Sequence, residues 1–369
     1  MLSSLTLKNF KCFEKQTFSF RNLTMLTGLN SAGKSTVLQT MLLLRQSHED
    51  RILHSTGLTL DGPLVQLGTA QDVLFEGARD ETITFGLGWS DDVAVDFSFS
   101  ADLASDVLTA LHTHEPDIYA QKSLFTDRFQ YLEAERLGPR NAFDMSEFEV
   151  KRHRQLGTSG EYTAHFMASF GSQRIGHAQM HHPSASGTTL RDETEAWMSE
   201  ISPGLRLHFK PYSNLDLVNL AVSFSSPKAV SSNEYRTGNV GFGITYALPV
   251  VVSLLSSEPG DLVLLENPEA HLHPRAQAKL GELIARACSS GVQVIFETHS
   301  DHVLNGVRIA IKSEILSPSD ASIYFFNNTS VEGRRQTQVV PITIDQRGRI
   351  DHWPDGFFDE FEKSIEQLI

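Results

Sequence analysis

Gly28-Leu29-Asn30-Ser31-Ala32-Gly33-Lys34-Ser35-Thr36 follows a short apolar run, Leu23 to Thr27, and leads into VLQTMLLLR, which supplies the apolar positions of a helix. The nonapeptide fits G-x-x-x-x-G-K-[ST], and strand, glycine-rich turn and helix are the context that this pattern requires. Glycines let backbone N–H groups close around phosphate oxygens, and a helix start adds partial positive charge. On this reading Gly28, Asn30, Ser31, Ala32, Gly33 and Thr36 form a phosphate cradle. Lys34 reaches the β and γ phosphates, and the Ser35 hydroxyl ligates Mg²⁺. The expected ligands are ATP and Mg²⁺.

Upstream, Leu5 and Leu7 alternate, the chain turns through Asn9-Phe10-Lys11, and Phe18 and Phe20 resume the pattern, which predicts a β-hairpin with one buried face. Far downstream, Leu262 to Leu265 ends in Glu266 and Val292 to Phe296 ends in Glu297, with amphipathic Gln277 to Ala287 between them. Two acid-terminated strands joined by a helix predict a βαβ unit of a parallel sheet. A P-loop needs an acid at a neighbouring strand end to hold the Mg²⁺ shell, and Glu266 is that acid. After it, Asn267-Pro268-Glu269-Ala270-His271-Leu272-His273 reads as an ordered turn. His271 and His273 there suggest either a metal site or imidazoles that hydrogen-bond across a dimer interface. The second strand end places His299 to hydrogen-bond a γ-phosphate.

The 369 residues carry 31 Lys plus Arg against 45 Asp plus Glu, a net charge of −14, which argues against coating nucleic acid or an anionic membrane through bulk charge. With 40% hydrophobic and 21% charged residues the composition is globular, and the length suggests two domains or one large α/β unit with an insertion. Val240 to Ser257 is apolar and uncharged, but Gly241, Gly243 and Pro249 interrupt it, so a buried helix is expected instead of a membrane span. Cys12 and Cys288 permit at most one disulfide and no signal peptide opens the chain, so it reads as cytoplasmic.

The middle region changes composition twice and reads as an inserted lobe. From Asp80 to Gln121 there is no Lys or Arg, while Arg136, Arg140, Lys151, Arg152 and Arg154 cluster further on among interleaved acids. Gly157 to Gly160 and Ser184 to Thr189 read as loops. No sustained heptad run predicts a coiled-coil arm.

Four stretches together, LTLKNFKCF, GLNSAGKST, LVLLENPEAHLHP and VIFETHSDH, resemble ABC-type ATPases of the RecF, SMC and OLD kind. YLEAERLGPR, LGTSGEY and the tail ITIDQRGRIDHWPDGFFDEFEK resemble stand-alone bacterial AAA-family ATPases found in antiphage defence cassettes beside a separate effector. The resemblance implies an α/β ABC-ATPase head with a mostly parallel core sheet, an N-terminal antiparallel β subdomain and an inserted α+β lobe without a long coiled coil. Its expected divisions are 1–95, 96–235 and 236–369. It also implies a homodimer, possibly extended to a higher oligomer, that closes around two ATP molecules.

Residue by residue, Asn239, Gly241 and Gly243 occupy the signature position, where they would meet the partner's phosphate. Gln71 or Gln66 is the glutamine that senses Mg²⁺ and the attacking water, with Gln71 in the better-placed loop. The ABC pattern puts a glutamate directly after the Walker B acid, and this chain has Asn267, whose amide is a poor general base. Either hydrolysis is slow and ATP acts as a clamp, or Glu297 or Glu269 orients the water, with Glu297 favoured. The implied function is an ATP-dependent dimer switch controlling a separate effector such as a nuclease. The alternative is a RecF-like repair ATPase that binds duplex DNA through the basic cluster. Fewer than 70 residues follow Asp301, too few for the appended nuclease domain of OLD enzymes.

Overall fold

The computed structural model describes residues 1–225, 232–331 and 334–368. It divides into two units: Met1–Phe129 with Ala321–Thr343 and Ile350–Ile369, and Gln130–Asp320 with Ile344–Arg349.

In the first unit, Leu2–Phe10 and Phe13–Ser19 form the expected hairpin, with Leu5 opposite Phe18. Asn9 and Lys11 bracket the turn in the left-handed region, with φ of 54° and 51°. The hairpin is one edge of a six-stranded sheet ordered Phe13–Ser19, Leu2–Phe10, Thr82–Trp89, Ala94–Ser100, Val107–Ala110, Gly57–Thr59. All its pairings are antiparallel. Ile83, Phe85, Val95, Phe97 and Phe99 are buried while Asp96 is exposed, so period-two alternation turns the basic-free stretch into half-buried strands. The expected division after residue 95 therefore falls inside a strand, and the antiparallel sheet runs on to Ala110.

Leu23–Gly28 lies parallel to Ala321–Val331, which pairs antiparallel with Arg334–Ile342. Its residues Leu23 to Thr27 are all buried, the continuous apolar pattern of a strand covered on both faces. Phe18 stacks on Phe326 at 5.8 Å and meets Tyr324 edge-on at 5.3 Å. The helix Lys34–Glu49 is buried on most faces, and each fully buried leucine among Leu38, Leu42 and Leu43 contributes about 2 kcal/mol. Near its end the Arg45 guanidinium lies 4.2 Å over the Phe129 ring and donates to the carbonyls of Leu124 and Thr126.

In the second unit, Leu262–Glu266 and Gln293–Glu297 are parallel partners in register, linked through the helix Pro274–Ser289 as expected. The strand Phe129–Leu132, which ends in this unit, flanks Leu262–Glu266. His273 caps the linking helix, with Pro274 at its first position, where the missing N–H costs nothing. Ser300 Oγ accepts from Val303 N at 3.0 Å and caps the next helix, Asp301–Lys312. These two helices cross at Gly281 and Gly306, where a Cβ on either glycine would collide with the backbone of the opposite helix.

Phe242–Ser256 is the expected buried apolar helix, with Pro249 inside it. The rest of the unit is α+β: a four-stranded sheet of Phe143–Asp144, Leu205–Tyr212, Leu217–Phe224 and Tyr235–Arg236, with helices Thr163–Phe170 and Leu190–Ser199. Among the described residues no helix exceeds 16 residues, and none is long and apolar enough to cross a membrane. Among the described residues neither Cys12 nor Cys288 forms a disulfide.

Candidate nucleotide site

The P-loop conformation follows from its glycines. Gly28 and Gly33 have φ of 134° and 96°, and Ser31 joins them in the left-handed region at 58°. A Cβ on Gly28 would strike the Phe326 carbonyl, and one on Gly33 would strike Cys12 Sγ, so neither position admits a side chain. The Leu29 N–H donates to Phe326 O at 3.0 Å, which ties the loop to the strand beside it. Gly33 caps the helix Lys34–Glu49. Lys34 is 3% exposed, and its Nζ donates to the carbonyls of Gly28 at 3.1 Å and Leu29 at 2.8 Å. Asn30 and Ser31 are exposed, Ala32 and Thr36 are buried, and Ser35 is half-buried. This backbone cradle at a helix start, with one ammonium in it, fits the phosphates of a nucleoside triphosphate. Gln71 lies in this same unit, exposed in the short helix Ala70–Val73, with its N–H held by Leu103 O. Gln66 is exposed too.

The acids come together in the second unit. Register puts Glu266 beside Glu297, and the Asn267 N–H donates to Glu297 O at 2.9 Å. Tyr131 Oη donates to Glu266 Oε1 at 3.0 Å. Burial holds the Glu266 carboxyl above the ordinary carboxylate range, and neighbouring Glu297 adds to this, while the Tyr131 hydrogen bond acts the other way. Glu269 Oε1 accepts from the His299 N–H at 2.9 Å, joining the turn after the first strand to the loop after the second. Gln277 adds another tie between them: its Nε2 donates to Leu272 O at 2.8 Å and its Oε1 accepts from Ser300 Oγ at 2.6 Å. His299 is 40% exposed in its side chain, with Nε2 3.8 Å from Glu297 Oε1. Glu297 is 7% exposed and Glu269 8%. Among the described residues, Asn267 Oδ1 and Glu269 Oε2 are buried without a hydrogen-bond partner.

Asn267 has φ of 42°, and asparagine tolerates the left-handed region better than any other residue except glycine. The turn's handedness is thus a physical reason for an amide where the ABC pattern has a glutamate.

At the signature position, Asn239 ends a short 3₁₀ turn, Gly241 caps Phe242–Ser256, and Gly243 lies in the first turn of that helix. A Cβ on Gly243 would come within 2.9 Å of His271 O, whereas one on Gly241 would meet nothing within 4 Å among the described residues. His271 packs against the rings of Tyr246 at 4.4 Å and Phe242 at 5.5 Å, and His273 Nδ1 accepts from Arg275 N. No group of three potential metal ligands occurs among the described residues, so the metal reading of His271 and His273 has no support.

Of the basic cluster, Arg140, Lys151, Arg152 and Arg154 are exposed, while Arg136 is internal. Arg136 is 2% exposed. It donates from Nε to Tyr246 O at 3.0 Å, from Nη1 to Glu133 O at 2.9 Å and Glu266 O at 2.8 Å, and from Nη2 to Asn267 O at 2.6 Å. Lys151 pairs with Glu147 at 2.7 Å, and Arg154 lies 4.6 Å over the Phe170 ring. A DNA-contacting role for Arg136 is therefore corrected to an internal one. Tyr131 and Arg136 are the site residues that sequence reasoning missed. Their only trace was the stretch YLEAERLGPR, whose spacing alone does not indicate burial.

Three family models match the chain: an AAA ATPase domain over residues 1–105, an AAA domain described as a putative AbiEii toxin of a type IV toxin–antitoxin system over 205–305, and a family of proteins of unknown function, DUF3696, over 316–368. No curated protein matches. Among solved structures, an SMC head bound to the C-terminal winged-helix domain of ScpA aligns with a TM-score of 0.53 at 14% identity, covering 93% of this chain and 98% of that one. An SMC head with an extended coiled coil, bound to the C-terminal domain of ScpA derived from Pyrococcus furiosus, aligns with a TM-score of 0.52 at 12% identity, covering 100% and 99%. The fold is that of an ABC-ATPase head. Over residues 1–105 and 205–305 the chain is thus similar to AAA-type ATPase domains, and in fold it is similar to SMC heads.

Proposed function

We propose that the chain is an ATP-driven switch: two copies close on ATP, and the closed pair controls a separate effector, a nuclease acting in prokaryotic antiphage defence. The observation that carries this reading is the open helix start at Gly241, where a 15-residue helix presents its first N–H groups beside Phe242, a phenylalanine 55% exposed. A helix N-terminus with space around it suits a phosphate brought by a second chain. The match to an AAA domain described as a putative AbiEii toxin supports the defence setting. The ScpA domains on the two SMC heads support control of a partner protein.

On this reading Gly28 to Thr36 and Lys34 bind the triphosphate, Ser35 and Glu266 hold Mg²⁺, and Gln71 reports on the metal and the attacking water. Bound Mg²⁺ would neutralise charge on the phosphates. Glu297 accepts the proton from water, His299 hydrogen-bonds the γ-phosphate, Glu269 fixes the His299 loop, and Asn267 contributes no base. Tyr131 fixes the rotamer of Glu266 through one oxygen. The RecF-like alternative, direct binding of duplex DNA, loses one of its five expected basic residues with the burial of Arg136.

Light scattering with and without ATP tests the switch. The wild type is expected to double in mass with ATP, while Lys34→Ala and Gly241→Trp remain monomeric. A Gly241→Trp chain that still pairs on ATP would reject the signature assignment. Co-purification from the native operon, with and without ATP, tests the effector, and a chain that recovers only duplex DNA would favour the RecF-like reading.

A further inference from the structure

We infer that Arg136 is a positioning residue: its buried guanidinium couples the signature helix to the acidic strand end, an inference that rests on the ATPase reading above. Four of its five N–H groups are assigned to carbonyls from three segments. These are Glu133 on its own loop, Tyr246 in the second turn of the helix capped by Gly241, and the consecutive pair Glu266 and Asn267. A planar fork satisfies such divergent acceptors at once, and a lysine ammonium on a flexible stem does not. The guanidinium also faces the Tyr246 ring at 5.6 Å. That ring meets His271 edge-on, and His271 meets exposed Phe242 at the helix start.

Two routes therefore run from the helix start to the strand end, one through backbone carbonyls and one through rings, and both pass through Arg136. The Asn267 carbonyl it grips belongs to the residue whose N–H is bonded to Glu297 O. Displacement of the helix start thus reaches the peptide between Glu266 and Asn267 and the backbone of Glu297. Burial lowers the Arg136 pKa to about 10, offset in part by Glu269, so the group remains charged at neutral pH. Removing the guanidinium takes a donor from four carbonyls at once, so the test separates a loss of stability from a loss of turnover.

The test compares Arg136→Lys, Arg136→Met and Tyr246→Leu with the wild type. It measures kcat and KM for ATP, affinity for a fluorescent ATP analogue, and the melting temperature. The expected result is a kcat at least about tenfold lower in Arg136→Met, partly restored in Arg136→Lys, with KM and analogue affinity within about twofold of wild type. Tyr246→Leu, which leaves every carbonyl in place, is expected to lower kcat about threefold, and it decides the matter if both Arg136 variants fail to fold. Unchanged kcat in folded variants would overturn the proposal. So would a loss of kcat matched by equal losses of analogue affinity and melting temperature, the pattern of a purely structural residue. A wild type without Lys34-dependent turnover would instead reject the ATPase reading itself, which keeps the two failures apart.

Discussion

Glu266 and Glu297 are direct register partners at the C-terminal ends of two parallel strands, and only Glu266 has the Tyr131 hydroxyl on its carboxylate. Two acids in one environment are thereby made unequal. Glu266 is oriented and held toward its protonated form by burial, a state that bound Mg²⁺ would reverse, while Glu297 lies next to His299.

Glu297→Gln is expected to lower ATP turnover by about 10² to 10⁴, the range for a positioned general base, without loss of ATP-dependent pairing. Glu269→Gln keeps an oxygen for the His299 N–H and is expected to change turnover by less than about tenfold. Steady-state assays on both variants check this. The reverse order of effects would transfer the base to Glu269, whose Oε2 is buried without a hydrogen bond among the described residues.

Asn267→Glu restores the commoner ABC residue but at a left-handed backbone position, φ 42°. The cost is about 1 kcal/mol, so the melting temperature should fall by a few degrees and turnover should not rise. Faster hydrolysis in this variant would show that the turn accepts a catalytic carboxylate there.

Lys34→Ala removes the ammonium folded over the P-loop carbonyls and should weaken ATP binding by at least about 10²-fold. Equilibrium dialysis reads this directly, and an undiminished affinity would remove the phosphate-binding assignment.

His48 provides a pH test remote from the nucleotide chemistry. Burial holds its imidazole below the ordinary histidine value, with nearby Arg45 and His54 acting the same way, and its ring packs against Tyr119 and Phe125. A depressed histidine is neutral when folded, so its contribution is present above the unfolded value, about 6.5, and is lost as pH falls through the folded one. Melting curves at pH 7 and pH 5 should therefore show a larger drop for the wild type than for His48→Leu. Equal drops would assign the acid sensitivity elsewhere.

The strand, loop and helix around Gly28 to Thr36 were legible because the contacts that define them are local. The Glu266 and Glu297 pair was legible because a βαβ link fixes parallel register. The extent of the antiparallel sheet was not, since Gly57–Thr59 pairs with Val107–Ala110 across some fifty residues and nothing local marks that partner. Arg136 read as one more surface cation because its acceptors Tyr246, Glu266 and Asn267 are more than a hundred residues away. The handedness of Asn267 is likewise a property of the closed turn and not of the residue alone.

The crossing of Pro274–Ser289 and Asp301–Lys312 at Gly281 and Gly306 lies behind both acidic turns, since each helix begins just after one of them. Two helices in backbone contact act as a gauge block: the gap between the turns they follow is set by the width of a hydrogen atom at each glycine. One added methyl at either position would meet the backbone of the opposite helix and force the two apart at the crossing. On the proposed reading, two buried glycines thus set how the acidic turns are held, a route by which related chains could diverge in tempo while keeping every proposed reacting side chain identical.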